Sequence, residues 1–304
     1  MTAVSGYRHD ALAYSGEDDF VRFATTFLGM GLDDGEPGLL ISSPQRIDNV
    51  RTALVDLGRG DDARRLRFLD TASEVRNPAV ALSVLAEFTQ QTGGRRVRGI
   101  GDLAGPGRTL AEFAEAQLHE VLLNTPVCDD WNMWLTCPYD MSGLSLDDVE
   151  AVAQCHPKHR TDLTNLAAAK FGSELPPRPS DAETFPVDFT QLGTLRAIVR
   201  TAATMSGLDP ERAEEFVYAV NEVISNSLRH GDGKAEVALW AEGDSLVCEV
   251  HDGGHIVDPL TGRIPPALSR TSGRGLWMVN HLCDLVQVRS PQSGTSVRMF
   301  VGPS

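Results

Sequence analysis

No stretch of this chain approaches the run of about eighteen apolar residues that a membrane-spanning helix needs, and the N-terminus, Met1 to Asp10, has no apolar h-region. A membrane span and a secretory leader are therefore not expected, and the chain reads as cytoplasmic. Positive charge is also scarce: the formal net charge is -15, with no local basic patch. Such a surface repels a phosphate backbone, so direct nucleic-acid binding is not expected, whereas protein partners suit it. The five cysteines, Cys128, Cys137, Cys155, Cys248 and Cys283, are odd in number and lack framework spacing, which implies reduced thiols. Cys155-His156-Pro157-Lys158-His159 has no second ligand pair at zinc spacing, so it is not read as a metal site. A Gly-x-x-x-x-Gly-Lys-Ser/Thr loop is missing as well. Ile41-Ser42-Ser43-Pro44-Gln45-Arg46 stands where one would follow a first strand, without its lysine or glycines, so nucleotide hydrolysis in the first half is not expected.

What the chain has is length and rhythm. With 304 residues and 41% hydrophobic content it can bury two cores. The first half alternates helical and strand patterns, with helices at 20–30, 45–57, 78–88, 110–123 and 146–154 and strands at 38–41, 66–69, 97–100 and 131–137. That alternation predicts a mostly parallel sheet covered on both faces, with its ligand crevice at the carboxyl ends of the strands. Asp102, Cys137, Tyr139 and Asp140 fall at such ends. Around 171–187 the pattern gives way to proline and polar residues, read as a linker between domains at 1–170 and 188–304. Beyond it come helices at 192–205, from Asp209-Pro210 to Gly231 and at 275–283, with strands at 235–240, 246–250, 285–289 and 295–301, an α+β layer.

The second half also carries the most informative residues. Glu222, Asn226 and His230, four apart on one helix, project as a single polar stripe. A carboxylate able to take a proton, beside an oxygen ligand for Mg²⁺, is what nucleotide-dependent phosphoryl transfer requires. Asp252-Gly253-Gly254 follows a strand, Gly273-Arg274-Gly275-Leu276 opens a helix, and Gly294-Thr295 opens the last strand. A carboxylate can accept from the adenine amine, glycines admit the ligand to the backbone, and a helix N-terminus offers free amides to phosphate. Taken singly, each of these is also an ordinary turn or a solvated helix face.

Together, in this order, they resemble the N box and three glycine boxes of the GHKL ATPase superfamily, and within it the RsbW and SpoIIAB type of anti-sigma serine kinase. The resemblance implies a Bergerat α/β sandwich binding Mg-ATP under a mobile lid. By motif, Asn226 would hold Mg²⁺ and Glu222 would act as the base toward a serine hydroxyl. Asp252 would bind the adenine amine beside Gly254 and Thr295, and Gly273, Arg274, Gly275 and Leu276 would close over the phosphates. His230 would complete the N box, although a helix-end histidine bonding the last carbonyls accounts for it equally well. The stretch 258–272, with Gly262, Arg263, Pro265, Pro266 and Arg270, departs from the shorter lids of many relatives. Sensor histidine kinases share the ATP domain but need an acceptor histidine on a dimerising hairpin just upstream. Here the one His-Glu pair, His119-Glu120, lies within the first domain.

In the first half, His9 with Tyr14, residues 31–36, Gly101-Asp102, Glu120 to Asn124, Cys137-Pro138-Tyr139-Asp140 and His156-Pro157 together resemble the MEDS sensory domain. That likeness implies a doubly wound, RecA-like α/β module sensing a small molecule, with His9, Asp102, Cys137, Tyr139 and Asp140 as candidate contacts. The expectation for the whole is a regulator of transcription in a stress response. It would sequester a sigma factor and phosphorylate a serine or threonine of an anti-anti-sigma (STAS-type) antagonist, under control of the sensory half. A non-catalytic ATP-clamped binding module and an orphan histidine kinase are the alternatives, and homodimerisation is left open.

Overall fold

A computed structural model of the chain describes residues 6–104, 108–142, 146–156, 161–265 and 274–303. It divides into two compact units, Met1–Asn165 and Leu166–Ser304.

The first unit runs β1 (Arg8–Tyr14), α1 (Glu17–Asp33), β2 (Gly38–Ser42), α2 (Pro44–Asp56), α3 (Gly60–Arg65) and β3 (Arg67–Asp70). It continues through α4 (Pro78–Gln91), β4 (Val97–Gly101), α5 (Leu110–Leu122), β5 (Met133–Asp140) and α6 (Leu146–Cys155). Five strands form one sheet in the order β1-β5-β4-β2-β3, each adjacent pair parallel, as the alternating pattern predicts. Strand β1 falls outside the strands read from the sequence and takes the edge beside β5, with Arg8 opposite Trp134 and Tyr14 opposite Asp140. β2 and β4 are buried along their whole length, as strands covered on both faces must be. Helix starts follow local chemistry: Ser43 and Asn77 cap α2 and α4, each ahead of a proline at the first helical position, and Thr109 with Glu112 forms a reciprocal capping box on α5.

Helix α7 (Thr164–Phe171) leads into the second unit, which comprises β6 (Glu183–Val187), α8 (Leu192–Met205), α9 (Pro210–His230), β7 (Ala235–Glu242) and β8 (Ser245–Asp252). After these come α10 (Gly275–Leu282), β9 (Leu285–Arg289) and β10 (Thr295–Val301). Its sheet is antiparallel throughout, in the order β6-β7-β8-β10-β9. The stretch read as a proline-rich linker is partly built into this unit, because Glu183–Val187 pairs with β7 at the sheet edge. Upstream of that strand, Arg178 donates through Nε to Glu249 Oε1 at 2.6 Å and also pairs with Glu236. Arg298 donates to the Pro176 carbonyl at 2.7 Å and to Glu249 Oε2 at 2.6 Å. Residues 176–178 are thereby latched to the face of the sheet.

Helix α9 presents Phe216, Val220, Val223, Ile224 and Leu228 to the core, all buried, as a periodic apolar stripe should. Asp209 caps it, accepting from the Glu211 and Arg212 amides at 2.9 and 3.0 Å with Pro210 at the first helical position. Arg212 in turn donates to the Leu282 carbonyl at 2.8 Å and to Asp284 at 2.7 Å, satisfying the end of α10. We expect Asp209→Ala to cost about 1 kcal/mol. The check is the shift in urea midpoint at unchanged m value.

Candidate functional site

At its far end, α9 runs into the turn after β8. A Cβ on Gly231 would sit 2.7 Å from the Ser227 carbonyl oxygen and 3.1 Å from Asp252 Oδ1, so only glycine lets the helix end this close to the strand. Asp252, buried, accepts from the Gly254 amide at 2.7 Å. Thr295 Oγ1 donates to the Gly254 carbonyl at 2.8 Å, and Ser290 Oγ, 2.9 Å from Thr295 Oγ1, accepts from the Ile256 amide at 2.9 Å. Those bonds pin 254–256 against the start of β10. Gly294, at φ 132, allows it, since a Cβ there would lie 2.1 Å from the Asp252 carbonyl oxygen.

These elements enclose a cavity of about 370 Å³ lined by Asn226, His230, Asp252, Gly254, Gly275, Leu276 and Thr295, among others. Seven of the ten residues singled out for nucleotide or catalysis thus meet at one place. His230 is exposed. Glu222 does not line the cavity, yet it is close: a Cβ on Gly275 would stand 3.0 Å from both Glu222 Oε2 and Asn226 Nδ2. Gly275 begins α10 directly against the polar stripe, and Arg274, exposed, precedes it as the cap residue. Gly273, Pro266 and Arg270 lie outside the described residues. Arg263, within the long stretch 258–272, is buried at 2% exposure. Its loop docks on α10: Asn280 donates to the Gly262 carbonyl at 2.8 Å, and Gly262, at φ 79, abuts Leu276. His255, Ile256 and Thr261 also line the cavity and were not singled out. Their only sequence signal is proximity to Asp252-Gly253-Gly254.

In the first unit the five candidate contacts separate into distinct environments. Asp102 faces Arg46 and Ser42, accepting at 2.8 and 2.6 Å, at the carboxyl ends of β2 and β4. Tyr14 lies beside this pair, and its phenol is pushed up to about 12 by burial and then by the Asp102 charge. Arg46, from the segment that replaces a phosphate loop, is thereby committed to a buried carboxylate. Asp140 turns to the loop, accepting from Ser142. His9 and Cys137 come together with Glu120 and His156. His9 Nε2 is 3.0 Å from Glu120 Oε2 and 3.3 Å from Cys137 Sγ, and His156 Nε2 is 3.1 Å from His9 Nε2. Tyr139 packs edge-on to His156 with ring centroids 5.6 Å apart. Burial and the Glu120 charge push the Cys137 thiol well up. Burial would also raise the Glu120 carboxyl, but hydrogen bonds from His156 and His9 outweigh it and hold that group well below the usual carboxylate range. His119 is buried at 1% exposure within α5, which denies it the exposed position of a phosphoacceptor.

Comparison with known proteins agrees with this division. Residues 8–157 match the family described as the MEthanogen/methylotroph, DcmR Sensory domain, MEDS, and residues 185–301 match the histidine kinase-like ATPase domain. No curated protein matches the chain. Among solved structures, the RsbU and RsbW domains of a Mycobacterium tuberculosis protein align at 20% identity and a TM-score of 0.30, over 40% of this chain and 32% of that one. The chain therefore spans about a third of that solved protein. Among the described residues, no helix is long and apolar enough to cross a membrane.

Proposed function

We propose that this chain, a MEDS domain followed by a histidine kinase-like ATPase domain, is an anti-sigma regulator. It binds Mg-ATP in the second unit and sequesters a sigma factor. It phosphorylates a serine or threonine of a STAS-type antagonist, under control of a signal received by the first unit. The observation that carries the reading is the convergence of Asn226, Asp252, Gly254 and Thr295 on one cavity facing the start of α10. The residues present fit the nucleotide. The cavity falls within the range of about 300–1,000 Å³ usual for small-molecule sites, and Gly254 and Gly275 line it without side chains.

When bound, Mg-ATP supplies the phosphoryl group and the positive charge that offsets its oxygens. Asn226 would hold the metal through its side-chain oxygen, and Asp252 would accept from the adenine amine. The amides at the start of α10 would face phosphate, with Gly273, Arg274, Gly275 and Leu276 closing over it and His230 at the rim. Glu222 would take the hydroxyl proton of the antagonist. Phosphorylation adds charge to the antagonist's binding surface, so the regulator keeps its sigma factor. A second reading rests on Glu222 standing outside the cavity lining: a clamp that holds ATP without transferring phosphate.

Calorimetry with ATP, with and without Mg²⁺, and incubation with labelled ATP and candidate antagonists test both. Acid-stable label on the antagonist supports the kinase. Magnesium-dependent binding without transfer leaves the clamp, and no magnesium-dependent heat removes both. We expect Asn226→Ala to abolish that heat.

A further inference from the structure

The first unit contains a cluster that the proposed function does not use. His9 on β1, Glu120 on α5, Cys137 on β5 and His156 after α6 each direct one donor atom inward, and the four atoms all lie within 4.8 Å of one another. The side chains of His9, Glu120 and His156 are 1%, 2% and 4% exposed, and Cys137 is 2% exposed. Such a set, two imidazoles, a carboxylate and a thiol, has no solvent to complete its hydrogen bonding.

Counting hydrogens sharpens the point. His156 Nδ1 is 3.0 Å from the Val152 carbonyl oxygen, an acceptor only, so that nitrogen carries the proton of the neutral ring and Nε2 presents a lone pair. That lone pair faces Glu120 Oε2 at 3.0 Å and His9 Nε2 at 3.1 Å. His9 Nε2 in turn meets Glu120 Oε2 at 3.0 Å and Cys137 Sγ at 3.3 Å. With His156 neutral, the four close contacts are served by at most two hydrogens, one on His9 and one on Cys137, and a protonated His156 adds a third, donated to Glu120. A single central cation satisfies all four atoms together. Tetrahedral ligands at zinc bond lengths of about 2.0–2.3 Å stand about 3.3–3.8 Å apart, so the short contacts of 3.0–3.3 Å need a small expansion and the widest separation, up to 4.8 Å, a contraction.

The surroundings of His156 are those of a metal ligand. The Val152 carbonyl fixes the His156 ring, as outer partners do for metal-bound histidines. Behind His9 Nδ1, at 3.1 Å, sits Asn124 Nδ2, a donor that also reaches the Glu120 and Cys155 carbonyls at 3.0 and 2.7 Å, so metal binding through His9 Nε2 requires this amide to shift away from the Nδ1 proton. His9 and His156 also line a cavity of about 390 Å³ with Phe23, Phe27 and Trp134, which offers an access route.

We propose that His9 Nε2, His156 Nε2, Glu120 Oε2 and Cys137 Sγ bind one Zn²⁺ in tetrahedral geometry. The Cys137 proton passes to solvent as the thiolate forms, and the His9 ring proton moves from Nε2 to Nδ1 so that Nε2 offers its lone pair. Two nitrogens, one oxygen and one sulfur favour zinc over the oxygen-seeking Mg²⁺ and Ca²⁺. The site lies wholly in the first unit, and its occupancy does not depend on nucleotide binding in the second.

The test uses the full chain, stripped with a chelator and free of nucleotide, titrated with Zn²⁺ against a chromophoric competitor and separately with Co²⁺. One equivalent of each is expected, with a thiolate-to-cobalt charge-transfer band in the near ultraviolet and the intense visible bands of a tetrahedral ion. Cys137→Ser should lose the charge-transfer band. Glu120→Gln and His156→Gln should each weaken Zn²⁺ binding by at least about 10-fold, and Asn226→Ala should leave the cobalt spectrum intact. Because the wild-type chain is read directly, a variant that fails to fold does not blunt the test. No stoichiometric uptake, or a cobalt spectrum without the charge-transfer band, overturns the proposal.

Discussion

Glu222→Gln is expected to slow phosphoryl transfer to the antagonist by about 10²–10⁴-fold, the usual contribution of a positioned general base, while Mg-ATP binding stays close to wild type. The split follows from geometry. Asn226 lines the cavity, whereas Glu222 stands one helical turn earlier, beside Gly275 and outside the lining. Glutamine keeps the shape and polarity of the side chain but cannot accept the proton. Single-turnover transfer, read beside calorimetric affinity, separates the two effects. Equal loss of binding and transfer would place Glu222 in the nucleotide contact instead, and unchanged transfer would exclude it as the base.

Glu249→Gln is expected to destabilise the second unit by about 3–5 kcal/mol, the cost of leaving buried charge without its partner. Glu249 faces Arg298 directly across the β8–β10 ladder and also holds Arg178. Arg298 is 5% exposed and lies over the Trp240 ring at 5.1 Å. Neutralising Glu249 leaves Arg298 without its carboxylate partner on that sheet face and removes one of the ion pairs that hold 176–178. Urea titration read by hydrogen exchange at β7, β8 and β10 amides isolates this unit, and an unchanged midpoint there would refute the claim.

Much of this architecture is legible in the sequence because apolar periodicity marks most of its helices and strands. Most strands of both sheets follow from it, whereas the nucleotide motifs are legible through their polar and glycine residues and the resemblance these carry. What escaped has physical causes. β1, Arg8–Tyr14, is an edge strand with a charged, partly exposed start, so it lacks the continuous apolar run of its neighbours. β6 contains Pro186, and proline is tolerated on an edge strand, so it merged with the proline-rich stretch before it. The burial of Arg263 was not legible, because nothing local shows the Gly262 turn docking on α10. The four-donor cluster was half visible, with His9 and Cys137 singled out as sensory contacts. Its ligands are separated by as many as 147 residues, between His9 and His156, and no spacing rule joins residues that only the β1–β5 pairing brings together.

That pairing has a consequence for the protein during its synthesis. β1 is made before its neighbour β5, which lies some 126 residues later, from Arg8 to Trp134. At about 5–20 residues per second the ribosome takes roughly 6–25 s to deliver it. Throughout that interval β1 has no native strand to pair with, so the nascent chain carries an unsatisfied strand edge that a holding chaperone would have reason to cover.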